Sequence, residues 1–361
     1  MIEVSQPFLT GEELAAVQRV FASGYLGMGP EVASFEAELS AFLGGRRVVC
    51  TSSGSAALHL ACVAAGLRPG DEVLVPGVTF VASYQAITAA GATPVLCDVD
   101  PRTGLLDLAS ASSRFNARTR AVMPVHYAGH AGNLPAVLAF AAERNLRVIE
   151  DAAHAFGSAV AGRKVGAAAD ITCFSFDPIK TVTCGEGGAV VLNESAEETI
   201  VRESLRLGLA YAGGKYAAGA CRQGWRYHLP DINAAIGRVQ LRRFGTEIAP
   251  KRRRLHDRYR SLLGPVAGVS LLETDTGVMP HILPVLVENG RRDAVAEALA
   301  RHSVRTARHY HPGYMHPYYR SEELPGVRAM MEKQLTLPLH HHMNMDDVAR
   351  IVAIVQDACL L

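Results

Sequence analysis

The sequence predicts an α/β protein with a mostly parallel central sheet flanked by helices, and three observations carry that reading. From about residue 47 to 192, short apolar runs alternate with helix-patterned segments, the rhythm of strand–helix–strand crossovers. Beyond Leu241 the alternation loosens into a long helix, a strand near His281–Val287, a helix around Arg292–Arg301 and a closing helix. The length, 361 residues, exceeds what one hydrophobic core usually organises. The expected organisation is a large domain over residues 1–244 and a smaller C-terminal α+β domain over residues 245–361.

Taken in order, Thr10 followed by Glu13 is a capping-box signature, and Leu14, Val17, Val20 and Phe21 mark the expected apolar face of the helix it opens. A second helix carries Val32, Phe35, Leu39 and Phe42. Between them Gly24-Tyr25-Leu26-Gly27-Met28-Gly29-Pro30 is too glycine-rich for regular structure and reads as a shaped loop. Strands are expected at Arg47–Cys50, Glu72–Val75, Pro94–Cys97, Ala121–Val125, Arg147–Ile149, Ile171–Ser175 and Ala189–Leu192. The run Lys251–Arg254 precedes Leu255, Tyr259, Leu262 and Leu263 at helical spacing and reads as a solvated helix face. In the closing helix Asn344 is the expected N-cap, with Asp347 three on and Val348, Ile351, Val352 and Val355 as the apolar face.

Composition narrows the function classes. With 49% hydrophobic and 20% charged residues the chain has ample apolar surface to fold, and a net charge of +1 gives no general reason to expect nucleic acid or an anionic membrane as partner. The seven cysteines are odd in number, widely spaced and free of C-x-x-C pairs, which suits a reducing cytoplasm and does not indicate structural zinc. The N-terminus shows no signal-peptide pattern, and the apolar stretch Val73–Val99 is broken by Pro76, Gly77, Gly91 and Pro94, so no membrane span is expected. His126 and His130 are four apart, but His126 lies at a strand end before Gly129 and not on a helix where that spacing aligns ligands; His309/His311 and the run His340–His342 are the other histidine groups, and no metal is expected.

In sheets of this kind chemistry sits at the carboxyl ends of the strands, so the residues that follow them matter most. Thr51-Ser52-Ser53-Gly54-Ser55 leads from a strand into a helix N-terminus, where free N–H groups suit a phosphate or a plain serine cap. Glu150-Asp151-Ala152-Ala153-His154 ends another strand and places an acid at that rim. Phe174-Ser175-Phe176-Asp177-Pro178-Ile179-Lys180 takes a strand through a proline to a lysine. The glycine-rich return Gly185-Glu186-Gly187-Gly188 suggests close backbone approach to something bound. Held out of water, such a lysine has a lowered pKa and can form a Schiff base.

Together these segments resemble the sugar aminotransferases of the DegT/DnrJ/StrS type, which are fold-type I pyridoxal-phosphate (PLP) enzymes. The resemblance also includes Gly29-Pro30-Glu31-Val32, Ser53-Gly54-Ser55-Ala56-Ala57-Leu58-His59, Gly70-Asp71-Glu72-Val73, Thr79-Phe80-Val81-Ala82 and Gly91-Ala92-Thr93-Pro94-Val95. It implies a fold-type I PLP-transferase with Lys180 as the Schiff-base lysine, Asp151 as partner of the pyridine nitrogen and His154 near the phenolic oxygen. It also implies Gly54, Ser55 and Ser175 as phosphate cradle and Phe80 stacked on the ring. One motif departs from the family: Gly224-Trp225-Arg226-Tyr227-His228 stands where relatives carry Gly-x-Asn-x-Arg. Arg226 is therefore expected to reach a phosphate across a homodimer interface, or else to form a structural salt bridge.

The implied activity is a cytoplasmic, two-stage transamination in amino-sugar biosynthesis. PLP becomes pyridoxamine phosphate at the expense of a donor, glutamate by family analogy, and then aminates a keto sugar, usually nucleotide-linked. An unlinked keto-cyclitol is the alternative substrate, and Tyr25, His228, His309 and Tyr310 are the expected substrate contacts. A related PLP- or pyridoxamine-dependent dehydratase is disfavoured because such relatives replace the lysine with histidine. A non-enzymatic regulator is disfavoured by the complete site. A nicotinamide enzyme is disfavoured because no G-x-G-x-x-G follows a strand.

Overall fold

The computed structural model describes residues 1–212 and 215–360. Helices α1 (Gly11–Ser23) and α2 (Pro30–Phe42) precede β1 (Arg47–Thr51), and the chain then alternates through α3 (Gly54–Ala64), β2 (Glu72–Pro76), α4 (Ala82–Ala89) and β3 (Thr93–Cys97). It continues with α5 (Leu108–Arg114), β4 (Thr119–Val122), α6 (Leu134–Glu143), β5 (Arg147–Asp151) and a small hairpin of β6 (Ala159–Val160) and β7 (Arg163–Lys164). Next come β8 (Ile171–Ser175), β9 (Gly188–Leu192), α7 (Ser195–Ser204) and the hairpin β10 (Leu209–Ala212) and β11 (Lys215–Ala220). After these stand α8 (Asp231–Arg243), α9 (Ala249–Leu263), β12 (Val269–Leu271), β13 (Leu283–Val287), α10 (Arg292–Arg301), α11 (Pro325–Met331), β14 (Gln334–Leu337) and α12 (Met345–Leu360).

Seven strands form one sheet in the order β1-β9-β8-β5-β4-β2-β3. Only β9 runs against the others, pairing antiparallel with both β1 and β8, so the sheet is mostly parallel as the sequence rhythm predicts. Both faces are covered, which is why β2, β8 and β9 read as unbroken apolar runs. Along β1, β8 and β9 alternate residues enter two cores. Val49, Cys173 and Val190 face α3 and α7, while Cys50, Phe174 and Val191 face the aromatic cluster around Phe35, Phe156 and Phe176.

A separate core joins Leu255, Tyr259 and Leu263 of α9 to Val285, Val287, Leu299, Leu335 and Leu337, and to Val348, Ile351, Val352 and Val355 of α12. The expected α12 cap is present: Asn344 Oδ1 accepts from the amides of Asp346 and Asp347 at 2.9 Å. The cores are not partitioned by a single chain position, since Ile2 packs on this core while Leu324, Val327 and Met330 pack with the large sheet. A π-helical turn, Phe244–Ile248, links α8 to α9.

Two expectations are corrected. The capping box forms at Thr10 and Glu13, but the buried face of α1 is Glu13, Ala16 and Val20, leaving Leu14 63% and Phe21 61% exposed. The reason is ionic. Glu13 Oε1 accepts from Arg243 at 2.6 Å and from Gln240 at 2.7 Å, which turns the helix so that Ala16 and Val20 meet Ala235 and Val239 of α8. Likewise the run Lys251–Arg254 is not wholly solvated: Arg252 is buried and donates to the carbonyls of Pro280 and His281, carrying the loop before β13. Burial pushes its guanidinium down to about 10.

Candidate active site

The carboxyl ends of β1, β2, β5 and β8 converge on one cavity of about 320 Å³. Because β9 is reversed, its first residue, Gly188, lies at the same rim, opposite Thr51 of β1 and Ser175 of β8. A Cβ on Gly188 would stand 2.4 Å from Ser53 O, and one on Gly54 would stand 2.7 Å from Ser175 Cβ, so both positions require glycine. The close packing brings the start of α3 against Ser175. Ser53 caps that helix, its Oγ accepting from the Ala56 amide at 3.1 Å, and the amides of Gly54 and Ser55 precede any carbonyl the helix could offer them. They meet Ser175 at the cavity wall, a set of donors suited to a phosphate.

Asp151 ends β5. Its backbone is held by the amide of His126 and the carbonyl of Pro124, and its buried carboxylate accepts from Ser83 Oγ at 2.7 Å and from the Ala153 amide at 3.1 Å. Ser83 Oγ lies 2.7 Å from Thr79 Oγ1, so a short buried hydroxyl chain runs along the start of α4 to the acid. The neighbouring carboxylate, Glu150, points elsewhere: it bonds His126 Nε2 and Thr172 Oγ1, both at 2.6 Å, in the sheet interior.

Lys180 sits on a turn closed by its own N–H donating to Asp177 O at 3.0 Å, with the Asp177 carboxylate accepting from the Ile179 amide. The loop is tied at both ends, Phe176 N to Gly187 O at 2.8 Å and Cys184 N to Phe176 O at 2.9 Å. Burial pulls the Lys180 ammonium below its ordinary pKa, with the charges of Asp177 and Asp151 opposing that shift, so its free-amine fraction is raised. Phe80, 56% exposed, overhangs the cavity with its ring 5.6 Å from that of Tyr310.

His154 is buried below Lys180's cavity. Its Nε2 is 2.7 Å from Tyr310 Oη, and its Nδ1 faces the Ala128 amide at 3.4 Å. Both ring nitrogens are thus engaged by the protein. His281 packs 4.5 Å from the His154 ring, and His309 Nδ1 contacts Thr336 Oγ1 at 2.8 Å. Burial keeps all three imidazoles neutral, reinforced by the charge of Lys180. His309 is pushed down to about 4.

Of the residues singled out from sequence, Lys180, Asp151, His154, Gly54, Ser55, Phe80, Ser175, His309 and Tyr310 line this cavity. Tyr25, Arg226 and His228 do not line it. Tyr25 lies in the exposed loop before α2, its Oη bonding Met28 O at 3.3 Å, and that loop is pinned by Asp231, which accepts from the amides of Gly29 and Val32. Arg226 is exposed and its backbone bridges to Arg206. Ser83, Thr79, Glu186 and His281 were not assigned roles from sequence. Ser83 directly follows the Thr79–Ala82 motif, whereas His281 carries no local signal.

Comparison with known proteins agrees with this geometry. A model of the DegT/DnrJ/EryC1/StrS aminotransferase family matches residues 7–356. The chain is 35% identical over 376 residues to the dTDP-4-dehydro-2,3,6-trideoxy-D-glucose 4-aminotransferase of Saccharopolyspora spinosa, covering 99% of this chain and 97% of that one. Among solved structures, the aminotransferase TlmJ from Streptoalloteichus hindustanus has a TM-score of 0.94 and 35% identity over 100% of this chain and 99% of its own. Spr1654 from Streptococcus pneumoniae in its PMP form has a TM-score of 0.94 and 26% identity over 100% of this chain and 99% of that one, and has also been solved in a PLP form.

The residues present fit PLP. Gly54 leaves no room for a side chain where it meets Ser175, a buried acid stands at the rim, and the lysine between them has a depressed pKa. With a family match over residues 7–356 and a relative 35% identical across 99% of the chain, the protein belongs to the DegT/DnrJ/EryC1/StrS aminotransferase family and is a PLP-dependent aminotransferase.

Proposed function

We propose that this aminotransferase moves an amino group from glutamate to the ketone of a nucleotide-linked sugar, in two half-reactions at one site. The observation that carries this reading is the shared cavity of Lys180 and Asp151, with the Gly54–Ser55 amides and Phe80 on its rim. The relative from S. spinosa, named for amination of a dTDP-linked dehydro sugar, supports the substrate class.

Bound PLP supplies an electron sink for the carbon that gains or loses nitrogen. The amides of Gly54 and Ser55 and the hydroxyls of Ser55 and Ser175 would hold its phosphate, Phe80 would pack on the ring, and the Asp151 carboxylate would keep the ring nitrogen protonated. Lys180 would hold the cofactor through Nζ, and its free amine would move a proton at the substrate carbon. Its lowered pKa suits both tasks. Ping-pong kinetics follow from the single site.

The site is completed by a second copy in this reading. Leu14 and Phe21 of α1, Tyr25 and Leu26 of the following loop, and Leu207 are each exposed and in this reading form one face; Arg206 reaches Met28 Sδ at 3.9 Å and its backbone bridges to Arg226. Packing this face against its copy makes a homodimer and carries Arg226 toward the partner's phosphate, with Tyr25 and His228 beside the substrate. In this reading the small C-terminal domain spans residues 245–361, its first residues lying in the π turn that links α8 to α9. A cytoplasmic location accords with the free cysteines, and among the described residues no helix is long and apolar enough to cross a membrane.

The test is to convert the purified protein to its pyridoxamine form with glutamate and follow by absorbance which ketones restore the starting spectrum. Nucleotide-linked keto sugars should do so. Restoration only by an unlinked inosose would overturn the nucleotide linkage, and reaction with glutamate but with no keto sugar or inosose would overturn the sugar assignment.

A further inference from the structure

Arg226 stands where relatives carry asparagine, so the substitution adds a full charge at that position. Its side chain is turned away from its own subunit. In the run 225–228, Trp225 N donates to Ser204 O and Tyr227 N to Leu205 O, and the rings of Trp225 and Tyr227 stack together against His59 of α3. Alternation along extended backbone therefore sends Arg226 to the opposite side, where it is exposed. The flanking arginines are paired, Arg222 with Glu203 at 2.6 Å and Arg238 with Glu31 at 2.7 Å, whereas Arg226 enters no ion pair among the described residues.

The active-site cavity carries the complementary charge. Three carboxylates line it, Asp151, Asp177 and Glu186. Asp151 is engaged by Ser83 and the Ala153 amide. Asp177 is half-buried, its Oδ1 accepts from the Ile179 amide at 3.1 Å, and its carboxylate enters no ion pair among the described residues. Desolvation and the charge of Asp177 push the Glu186 carboxyl above its ordinary pKa, so the two rim acids repel each other. Asp177 lies two residues past Ser175, at most about 7 Å along extended chain. An arginine that crosses to the cradle of Gly54, Ser55 and Ser175 therefore arrives within reach of the Asp177 carboxylate.

We propose that Asp177 receives the partner subunit's Arg226 in an ion pair at the mouth of the cavity, and that this pair makes Asp177 a positioning residue for Lys180. The guanidinium has five donors in one plane, enough to hold this carboxylate and a phosphate oxygen together. Asp177 rather than Glu186 is the anchor, because it is half-buried and already oriented by Ile179, while an exposed carboxylate gains little from pairing. The proposal rests on the homodimer reading and goes beyond it: two-fold symmetry makes the pair twice, so each subunit completes the other's site. The charge of Asp177 opposes the effect of burial on the Lys180 ammonium, and pairing removes that opposition. The lysine amine is therefore freed more fully in the dimer than in the single chain.

The experiment is a double-mutant cycle on the full chain stripped of cofactor, so that contacts of Arg226 with a phosphate do not enter. Asp177→Asn keeps an acceptor for the Ile179 amide, and Arg226→Gln keeps a polar side chain. Each should raise the dimer dissociation constant, read by sedimentation, at least about tenfold, and the double variant should dissociate no more readily than either single one. An unchanged constant in either single variant, or effects that multiply in the double variant, would overturn the pair. A wild-type chain that sediments as a monomer would overturn the homodimer reading and the pair with it. A second readout follows Lys180 through the pH dependence of its acylation, measured by mass spectrometry. Arg226→Gln leaves the Asp177 charge uncompensated and should shift this profile to higher pH. Asp177→Asn leaves the guanidinium uncompensated and should shift it to lower pH, and the double variant should return to the wild-type profile. A purely structural contact would not produce opposite shifts, so shifts of one sign, or none with Arg226→Gln, would overturn the positioning role.

Discussion

Ser83 Oγ donates to Asp151 Oδ2 across 2.7 Å, tying the first turn of α4 to the last residue of β5 inside the protein. The hydroxyl stabilises the acid as an anion and fixes its orientation at the cavity. Ser83→Ala leaves a buried carboxylate oxygen short of a donor. PLP affinity should fall up to about tenfold, as one hydrogen bond to a charged group would contribute. Ser83→Thr should retain affinity. Fluorescence titration of the apoprotein measures both, and an unchanged Kd in the alanine variant would remove Ser83 from the site's support.

Lys180→Ala should abolish the covalent cofactor link and lower turnover by more than about a thousandfold, within the range for a lost acid–base group combined with a lost nucleophile. Borohydride reduction followed by mass spectrometry of the chain checks the link. PLP retained on Lys180→Ala after reduction would place the linkage on another residue.

Gly188→Ala should destabilise the fold by about 1–3 kcal/mol, because its Cβ would meet backbone rather than a yielding side chain. Thermal unfolding followed by circular dichroism checks this. PLP binding should weaken with it, since the displaced atoms are Ser53 O and Gly54 N at the helix start.

The neutral histidines give the protein a defined acid response. Burial holds His154 and His281 well below their ordinary pKa and pushes His309 and His340 down to about 4. Below an unfolded value of about 6.5 the unfolded chain binds more protons than the folded one, so stability falls as pH drops from about 6.5 toward about 4. Above that window these groups contribute no slope. The unfolding midpoint should follow this course, and His281→Gln should flatten it. A midpoint constant through the window would contradict the neutral cluster.

Phe21→Asp should produce a monomer by gel filtration without lowering the unfolding midpoint of α1's own packing, since Phe21 is exposed while Ala16 and Val20 hold the helix to α8. An unaltered dimer would move the interface elsewhere. Arg226→Ala in a preserved dimer should weaken PLP binding, and unchanged affinity there would return Arg226 to a structural role.

Much of the sheet was legible because strands buried on two faces read as continuous apolar runs. The segment expected at Glu72–Val75 ends one residue later, and Ile171–Ser175 is found as expected. The lysine loop was legible because Pro178 and the glycines of 185–188 mark where a strand cannot continue. The orientation of α1 was not, because hydrophobic periodicity assigns the face with leucine and phenylalanine inward, and here a buried Glu13–Arg243 pair outweighs it. His281 could not be found from sequence, since what brings it to His154 is the loop carried by Arg252, an interaction between distant segments. The support of Asp151 by Ser83 lay one residue past a motif that points at the cavity through Phe80, on the other side of the helix start.

The reversal of β9 has a consequence for how far this scaffold can vary. Strand β8 ends at the rim and β9 sets out from it as adjacent strands, so the lysine travels on a handle whose two feet are riveted side by side at Ser175 and Gly188. Residues gained or lost within that handle would shift the reach of Lys180 while leaving every strand pairing untouched. The amine's position is therefore a local variable of one segment, adjustable to a bulkier or slimmer substrate without rebuilding the sheet.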